Sequence, residues 1–308
     1  MRVLVTGSSG FVGSHLCKRL LMDGHTVIGV DRDVSDLEGL EIHRNFYPLR
    51  MDLTNDIPQI HHCDVIVHAA AKAGLVRSWL DFTGYVNSNL IVTRNMLRET
   101  MPRTNRFVFI SSSSVYGPVA TGPEDSLMAP TNPYGITKIA GELLVKSYSE
   151  ELSVPYTIIR PFSIYGPRQR PDMMHHIFIR KILQGESITV DWDGGQARCN
   201  TYVSDLVNGI VQSFSPKGEN QAFNIGGGQT VTVLETLHLL EKLLGRTTNW
   251  ISGKKRAGDQ RITVANIEKA KRLLGYSPEI DLEFGLCQQI KWQAEVMGCL
   301  SSIPLMPY

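Results

Sequence analysis

Unbroken apolar runs punctuate the first half of the chain: "RVLVTG", "TVIGVD", "DVIVHAA", "RFVFISS" and "YTIIRPF". None alternates with polar residues, so each suits a strand covered on both faces, as in a parallel sheet. Between them, "GSHLCKRLLMDG" and "NSNLIVTRNMLRE" space their apolar residues at helical intervals. This alternation of strand and helix predicts an α/β domain with crossover helices. After about residue 165 the rhythm loosens. Gly, Pro and Arg gather at 166–172 and 193–200, which read as loops over a site. A strand-like "QAFNIGG" and helices near 233–244, 266–274 and 282–296 follow. With no internal repeat and no low-complexity linker, the second region is expected to pack directly on the first.

Composition narrows the function classes. A chain of 308 residues that is 42% hydrophobic can bury a large core, as one domain or as one with a smaller appendage. Thirty-one Lys and Arg against 30 Asp and Glu leave a net charge of +1, which argues against a polybasic surface for nucleic acid or acidic lipid. Any anion site must be local. Cys17, Cys63, Cys199, Cys287 and Cys299 lack the spacing of a disulfide framework or a zinc site, so reduced thiols and no metal are expected. The His61–His62 and His175–His176 pairs are adjacent residues that diverge on a regular element. The N-terminus has no leader pattern and no run reaches membrane-spanning length, so the expectation is a cytoplasmic protein.

"VLVTGSSGFVGSHL" places Gly7, Gly10 and Gly13 between the first strand and a helix. Such glycines permit a tight turn and close backbone approach, and the helix N-terminus favours a pyrophosphate. The second strand ends in Asp31, where a carboxylate can take the hydrogen bonds of an adenosine ribose and repel a 2′-phosphate. NAD is therefore favoured over NADP, although neighbouring Arg32 is compatible with the phosphate. A structural reading of Asp31 is a strand-end turn residue. Asp52, after the third strand, fits either an adenine contact or a helix N-cap.

"NPYGITKIAGE" sets Tyr134 and Lys138 four residues apart, on one face of a helix. An ammonium beside a phenol lowers the phenol's pKa toward neutral pH. The pair alone is common and usually marks a solvated helix face. Here it follows "SSSSVYG", at residues 111–117, by about twenty positions.

With these features in place the chain resembles the extended short-chain dehydrogenase/reductases, and among them the nucleotide-sugar epimerases and dehydratases. "TGSSGFVG", "HAAAKAG", "SSSSVYG", "YGITK", "RPFSIYGP", "TYVSDLV", "NIGGG" and "LLGYSP" occur in the family's order, nearly end to end. The resemblance implies a Rossmann-type doubly wound parallel sheet with a smaller C-terminal α/β substrate-binding region. Residues 1–165 and roughly 203–228 would form the NAD-binding part, and 166–202 with 229–308 the nucleotide-sugar part. It implies Tyr134 as the acid/base, Lys138 as its tuner and nicotinamide-ribose ligand, and Ser112 as the hydroxyl bridging sugar O4 and tyrosine. The NAD contacts implied are Gly7, Gly10, Phe11, Val12, Gly13, Asp31, Arg32, Asp52, Leu53, Ala69, Ala70, Ala71, Asn89, Ser111, Tyr134, Lys138 and Pro161.

The family's 4,6-dehydratases carry an Asp-Glu pair where this chain has Ser113 and Ser114, and its UDP-glucuronate decarboxylases carry Glu at the latter. Serine at both favours epimerisation over elimination, though both serines also suit simple turn capping. "GPRQRPDM" is similar to the UDP-glucuronate 4-epimerases, which makes Arg170 the partner of a sugar carboxylate; a surface pair with Asp172 is the alternative. Arg77, in "AGLVRSW", is a second anion candidate. Ser163 stands where many relatives have Asn, and Ser113 is a further sugar contact. Arg198 and Arg256 match the family's diphosphate-binding arginines, but Cys199 replaces the usual Asp after Arg198 and puts that side chain's orientation in question.

The activity so implied is NAD-dependent 4-epimerisation of a UDP-sugar, UDP-glucuronate to UDP-galacturonate, through a transient 4-keto sugar. Alternatives are a UDP-glucose or UDP-N-acetylglucosamine 4-epimerase, and UDP-glucuronate decarboxylation. A non-catalytic NAD-binding regulator is disfavoured because Tyr134 and Lys138 are both kept. The family generally dimerises through helices at about 84–100 and 133–150. Leu90, Val92, Met96 and Leu97 fit either that interface or an internal core.

Overall fold

The apolar runs form the interior of a seven-stranded, wholly parallel sheet, in a computed structural model that describes residues 1–304 apart from 36, 38, 228 and 256. Its first five strands are β1 (Arg2–Thr6), β2 (Thr26–Asp31), β3 (Phe46–Arg50), β4 (Val65–His68) and β5 (Phe107–Ile110). Tyr156–Pro161 continues the sheet beyond β5, and Gln221–Ile225 closes that edge. From β1 the chain winds out to β3, then crosses back to β4 on the other side of β1. The C-terminal ends of β1 and β4 thus flank a topological switch point, where such sheets bind ligands.

Side-chain alternation along each strand feeds two cores. Val3, Val5, Val65 and Val67 face Leu16 and Leu20 of helix α1 (Phe11–Met22), while Leu4 and Ile66 face Met96, Phe107 and Phe109. Val92, Met96 and Leu97 belong to this second core and are at most 3% exposed. On the helices at about 84–100 and 133–150, the exposed large apolar residues are Ile91, Ile136 and Leu143.

The helix Pro133–Leu152 begins on a strong signal. Asn132 accepts the Gly135 N–H at 2.8 Å, and Pro133 occupies the first helical position. Gly141 lets the helix lie directly on the sheet, since a Cβ there would stand 2.6 Å from the Phe109 ring. Tyr134 and Lys138 are thereby set beside the C-terminal end of β5.

The second region has its own core of Phe178, Ile182, Leu237, Leu240, Leu286 and Ile290. Its helices Val233–Leu244 and Leu282–Val296 start on a Thr232–Glu235 capping box and an Asp281 cap. A four-stranded sheet runs Thr230–Thr232, Ala197–Cys199, Ile262–Thr263 and Val119–Ala120, the last strand coming from the first region. The segment 193–200 is therefore not all loop; three residues are too short a run for periodicity to reveal a strand. The helix Val203–Gln212 packs back on α1 before Gln221–Ile225 rejoins the large sheet. Among the described residues, no helix is long and apolar enough to cross a membrane.

Candidate active site

A cleft of about 920 Å³ opens along the C-terminal ends of β1, β2, β4 and β5. Its floor is the glycine turn. Gly7 has φ +73°, and a Cβ on it would stand 2.9 Å from the Ala70 nitrogen; one on Gly13 would lie 1.9 Å from the Gly7 carbonyl oxygen. No side chain fits at either position. Gly10, Phe11, Val12, Arg32, Leu53, Ala69, Ala70, Ala71 and Pro161 line the same cleft. Asp31 accepts the Ser9 N–H at 3.1 Å, so its carboxylate is held at the turn. The buried hydroxyls of Ser8 and Ser9 have no hydrogen-bond partner among the described residues. A glycine floor and an anchored carboxylate along this cleft fit an extended dinucleotide.

Two predicted cofactor contacts differ in detail. Asp52 accepts the Thr54 N–H and hydroxyl at 2.9 and 2.7 Å, closing a tight turn rather than capping a helix. These bonds hold its carboxyl below the usual range. Asn89 does not line the cleft. It is 1% exposed and spends its amide on Lys72, whose N–H it accepts at 2.7 Å and whose carbonyl it meets at 2.8 Å, and on Thr137. Its place within a π-turn, Asn87–Ile91, turns it toward the loop instead. Below the turn, Thr6 bridges the Ala70 N–H and His68, and His68 also meets Thr93. Burial, with Lys138 nearby, drops His68 to about 3, so it stays neutral.

The serine run resolves into separate tasks. Ser111 donates to Glu142. Ser112 accepts the Ser114 N–H at 3.1 Å, capping a short 3₁₀ turn, and stands close enough to the Tyr134 phenol to pull it down. Ser113 and Ser114 are 6% exposed within that turn at the cleft wall. Burial pushes the Tyr134 phenol up, and the opposing pull comes from Ser112 and Arg170. Lys138, which the spacing predicts as the main acidifier, has a different first partner: its ammonium donates to the Ile110 carbonyl at 2.8 Å and lies 5.9 Å from the Tyr134 ring centroid. Burial brings this lysine down to about 8.

One turn further along the helix sits Glu142, a residue that the Tyr-Lys spacing continued by four positions would have revealed. It is fully buried and accepts from Ser111 and, bidentately, from Arg160 at 2.9 and 2.7 Å.

The arginines come next. Arg170 makes a two-bond pair with Asp172, at 3.0 and 3.3 Å, so the alternative reading of this side chain is present in the structure. Its charge nevertheless reaches Tyr134 and Tyr85, and Arg77 also acts on Asp172. Arg198 pairs with Asp259 at 2.8 Å. Asp259 thus serves it in place of an acid at 199, where the buried Cys199 thiol points to the Gly227 carbonyl. Arg256 lies outside the described residues. Ser163, with φ +26°, lines the cleft with Arg77, Arg170 and Arg198. The structure adds Asp172, Asp259 and Gln260 to this wall; Gln260 donates to the Ser113 and Gly117 carbonyls. Among the described residues, no three His, Cys, Asp or Glu side chains gather to hold a metal.

Known proteins align with this arrangement over nearly its whole length. An uncharacterized UDP-glucose epimerase, YtcB of Bacillus subtilis (strain 168), is 38% identical across 95% of this chain and 98% of its own. A UDP-glucuronate 4-epimerase of Thermodesulfobacterium geofontis is 33% identical across 97% and 98%. The crystal structure of UDP-glucuronic acid 4-epimerase from Bacillus cereus with UDP-glucuronic acid and NAD superposes with a TM-score of 0.91, at 35% identity, over 96% of this chain and all of that one. The family model for the NAD-dependent epimerase/dehydratases matches residues 3–226. The chain belongs to the NAD-dependent epimerase/dehydratase family.

Proposed function

We propose that this chain is a UDP-sugar 4-epimerase for a uronate, interconverting UDP-glucuronate and UDP-galacturonate. NAD is its cofactor and supplies a hydride acceptor that later returns the hydride to the same carbon. The glycine turn and Asp31 hold the dinucleotide, and Lys138 orients its nicotinamide end. Tyr134 takes the proton from the sugar O4 through Ser112 and gives it back after the sugar has turned. Lys138, over the Tyr134 ring, favours the phenolate as it forms. Arg198 and Arg256 hold the diphosphate, while Arg77, Ser113 and Ser163 line the sugar site.

The observation that carries the uronate assignment is Arg170, whose guanidinium lies close enough to Tyr134 to pull down its phenol. A planar donor fork there suits a sugar carboxylate. A 4-keto uronate loses carbon dioxide when its carboxylate bond stands perpendicular to the ketone plane, so holding that group also protects the intermediate. No acid at 113 or 114 offers elimination chemistry. Arg170→Ala is expected to lower kcat/KM for UDP-glucuronate roughly a hundredfold, read by proton NMR of the products. Near-normal kinetics remove the carboxylate assignment. The YtcB similarity supports UDP-glucose as the second reading. The same assay with UDP-glucose, with UDP-N-acetylglucosamine, and with carbon dioxide trapped, separates the substrates and the decarboxylase.

Because burial lowers Lys138, its ammonium is present below about 8 and lost above it. kcat/KM is therefore expected to fall as pH rises through about 8, and Lys138→Arg should move that limb upward. A limb unmoved by the arginine assigns it to another group.

The first region serves the dinucleotide and the second the nucleotide sugar. Ile91, Ile136 and Leu143, exposed on adjoining helices, support a homodimer through the helices of about 84–100 and 133–150. A cytoplasmic location accords with buried, unpaired cysteines at 17, 63, 199 and 287.

A further inference from the structure

Arg170 already has a carboxylate partner. Asp172 takes the Nε and Nη2 edge of its guanidinium, in the same wall as Tyr134. The pair is half-buried, with Arg170 38% and Asp172 27% exposed, so neither charge is fully screened by water. Gly74 and Tyr85 lie beside it. A Cβ on Gly74 would come within 3.6 Å of Asp172 Oδ2 and 3.8 Å of Arg170 Nη2, and Tyr85 donates to the Gly74 carbonyl while its ring meets the Tyr134 ring edge-on at 6.3 Å. Arg77, in the helix Leu75–Leu80, acts on Asp172. Two arginines and one aspartate leave one net positive charge, which matches one substrate carboxylate.

Epimerisation asks something unusual of this charge. The 4-keto sugar must present its opposite face, so its carboxylate leaves one position and arrives at another. A guanidinium bound only to that carboxylate would be stranded between the two, and an unpaired, partly buried charge is costly. We propose that Asp172 is a positioning residue that exchanges with the substrate carboxylate for Arg170, accepting the guanidinium while the uronate turns and releasing it when the carboxylate docks. This rests on the uronate reading above. Asp172 also competes with the substrate in the resting site, which keeps the uronate from being held too tightly to turn.

The test uses the NAD-loaded enzyme with Asp172→Asn, which keeps the shape and removes the charge, and Asp172→Glu, which restores it. In Asp172→Asn, KM for UDP-glucuronate is expected to fall about threefold while kcat falls about tenfold, since binding tightens in the ground state alone. The first-turnover rate of nicotinamide reduction should stay near wild type, and the near-ultraviolet absorbance of reduced nicotinamide should build up during steady state because the oxidised sugar stalls before turning. Asp172→Glu should recover most of kcat. Unchanged kcat with no accumulated reduced cofactor overturns the exchange; so does an equal fall in first-turnover reduction and kcat, which marks a structural defect. Wild-type turnover of UDP-glucuronate, measured alongside, tests the parent reading separately.

Discussion

Tyr134→Phe is expected to lower kcat by about three orders of magnitude while leaving KM within about threefold, because a positioned acid/base contributes on the order of 10²–10⁴. The substitution removes one oxygen and keeps the ring that packs on Tyr85. Ser112 retains the Ser114 N–H in the variant. A thermal midpoint near that of the wild type accompanies the loss, so the deficit belongs to proton transfer rather than to folding. Epimerisation by proton NMR, with the midpoint measured on the same preparation, checks both halves. A variant that turns over UDP-glucuronate within tenfold of wild type removes Tyr134 from the acid/base role.

Arg160→Leu carries the largest expected effect on stability. Arg160 is 2% exposed and is shared between Glu142, the Tyr116 phenol at 2.6 Å and the Glu124 carbonyl at 2.7 Å. Glu142 has no contact with water, so removing the guanidinium leaves a buried carboxylate unpaired, at a cost of about 3–5 kcal/mol. For a chain of this size that corresponds to a drop of roughly 10 °C in Tm. Removing the second charge as well, in Arg160→Leu with Glu142→Gln, should recover a large part of the loss, since the penalty lies in the unpaired ion. A single variant as stable as wild type contradicts this account. Losses that simply add in the double variant contradict it equally, because they deny coupling between the two side chains.

How much was legible in the sequence differs by region for physical reasons. Strands buried on both faces announce themselves by unbroken apolar runs, and β1, β2, β4 and β5 lie where those runs fall. Ala197–Cys199 and Ile262–Thr263 do not, because two or three residues sustain no period. Within the cleft, Gly7 and Gly13 were readable since only glycine survives their approach distances. The bonds that Asn89 makes to Lys72 and Thr137 from a local π-turn were not readable, because periodicity carries no trace of that turn. The acids were harder to read. "RPDM" offered the Arg170–Asp172 pair only as an alternative, and nothing beside Arg198 pointed to Asp259, yet these two carboxylates hold the two guanidinium groups at rest. Pairing between Arg198 and Asp259, 61 residues apart in sequence, is a product of tertiary structure alone.

The small sheet has a consequence for how such a chain diversifies. Val119–Ala120 is lent by the first region to the second, and Gln221–Ile225 is handed back from beyond the first sugar-side loops to the large sheet. No single cut separates two autonomous folding units, so neither half can be swapped as a module. Side-chain replacements in the cleft wall leave intact a scaffold whose two halves are stitched together in both directions.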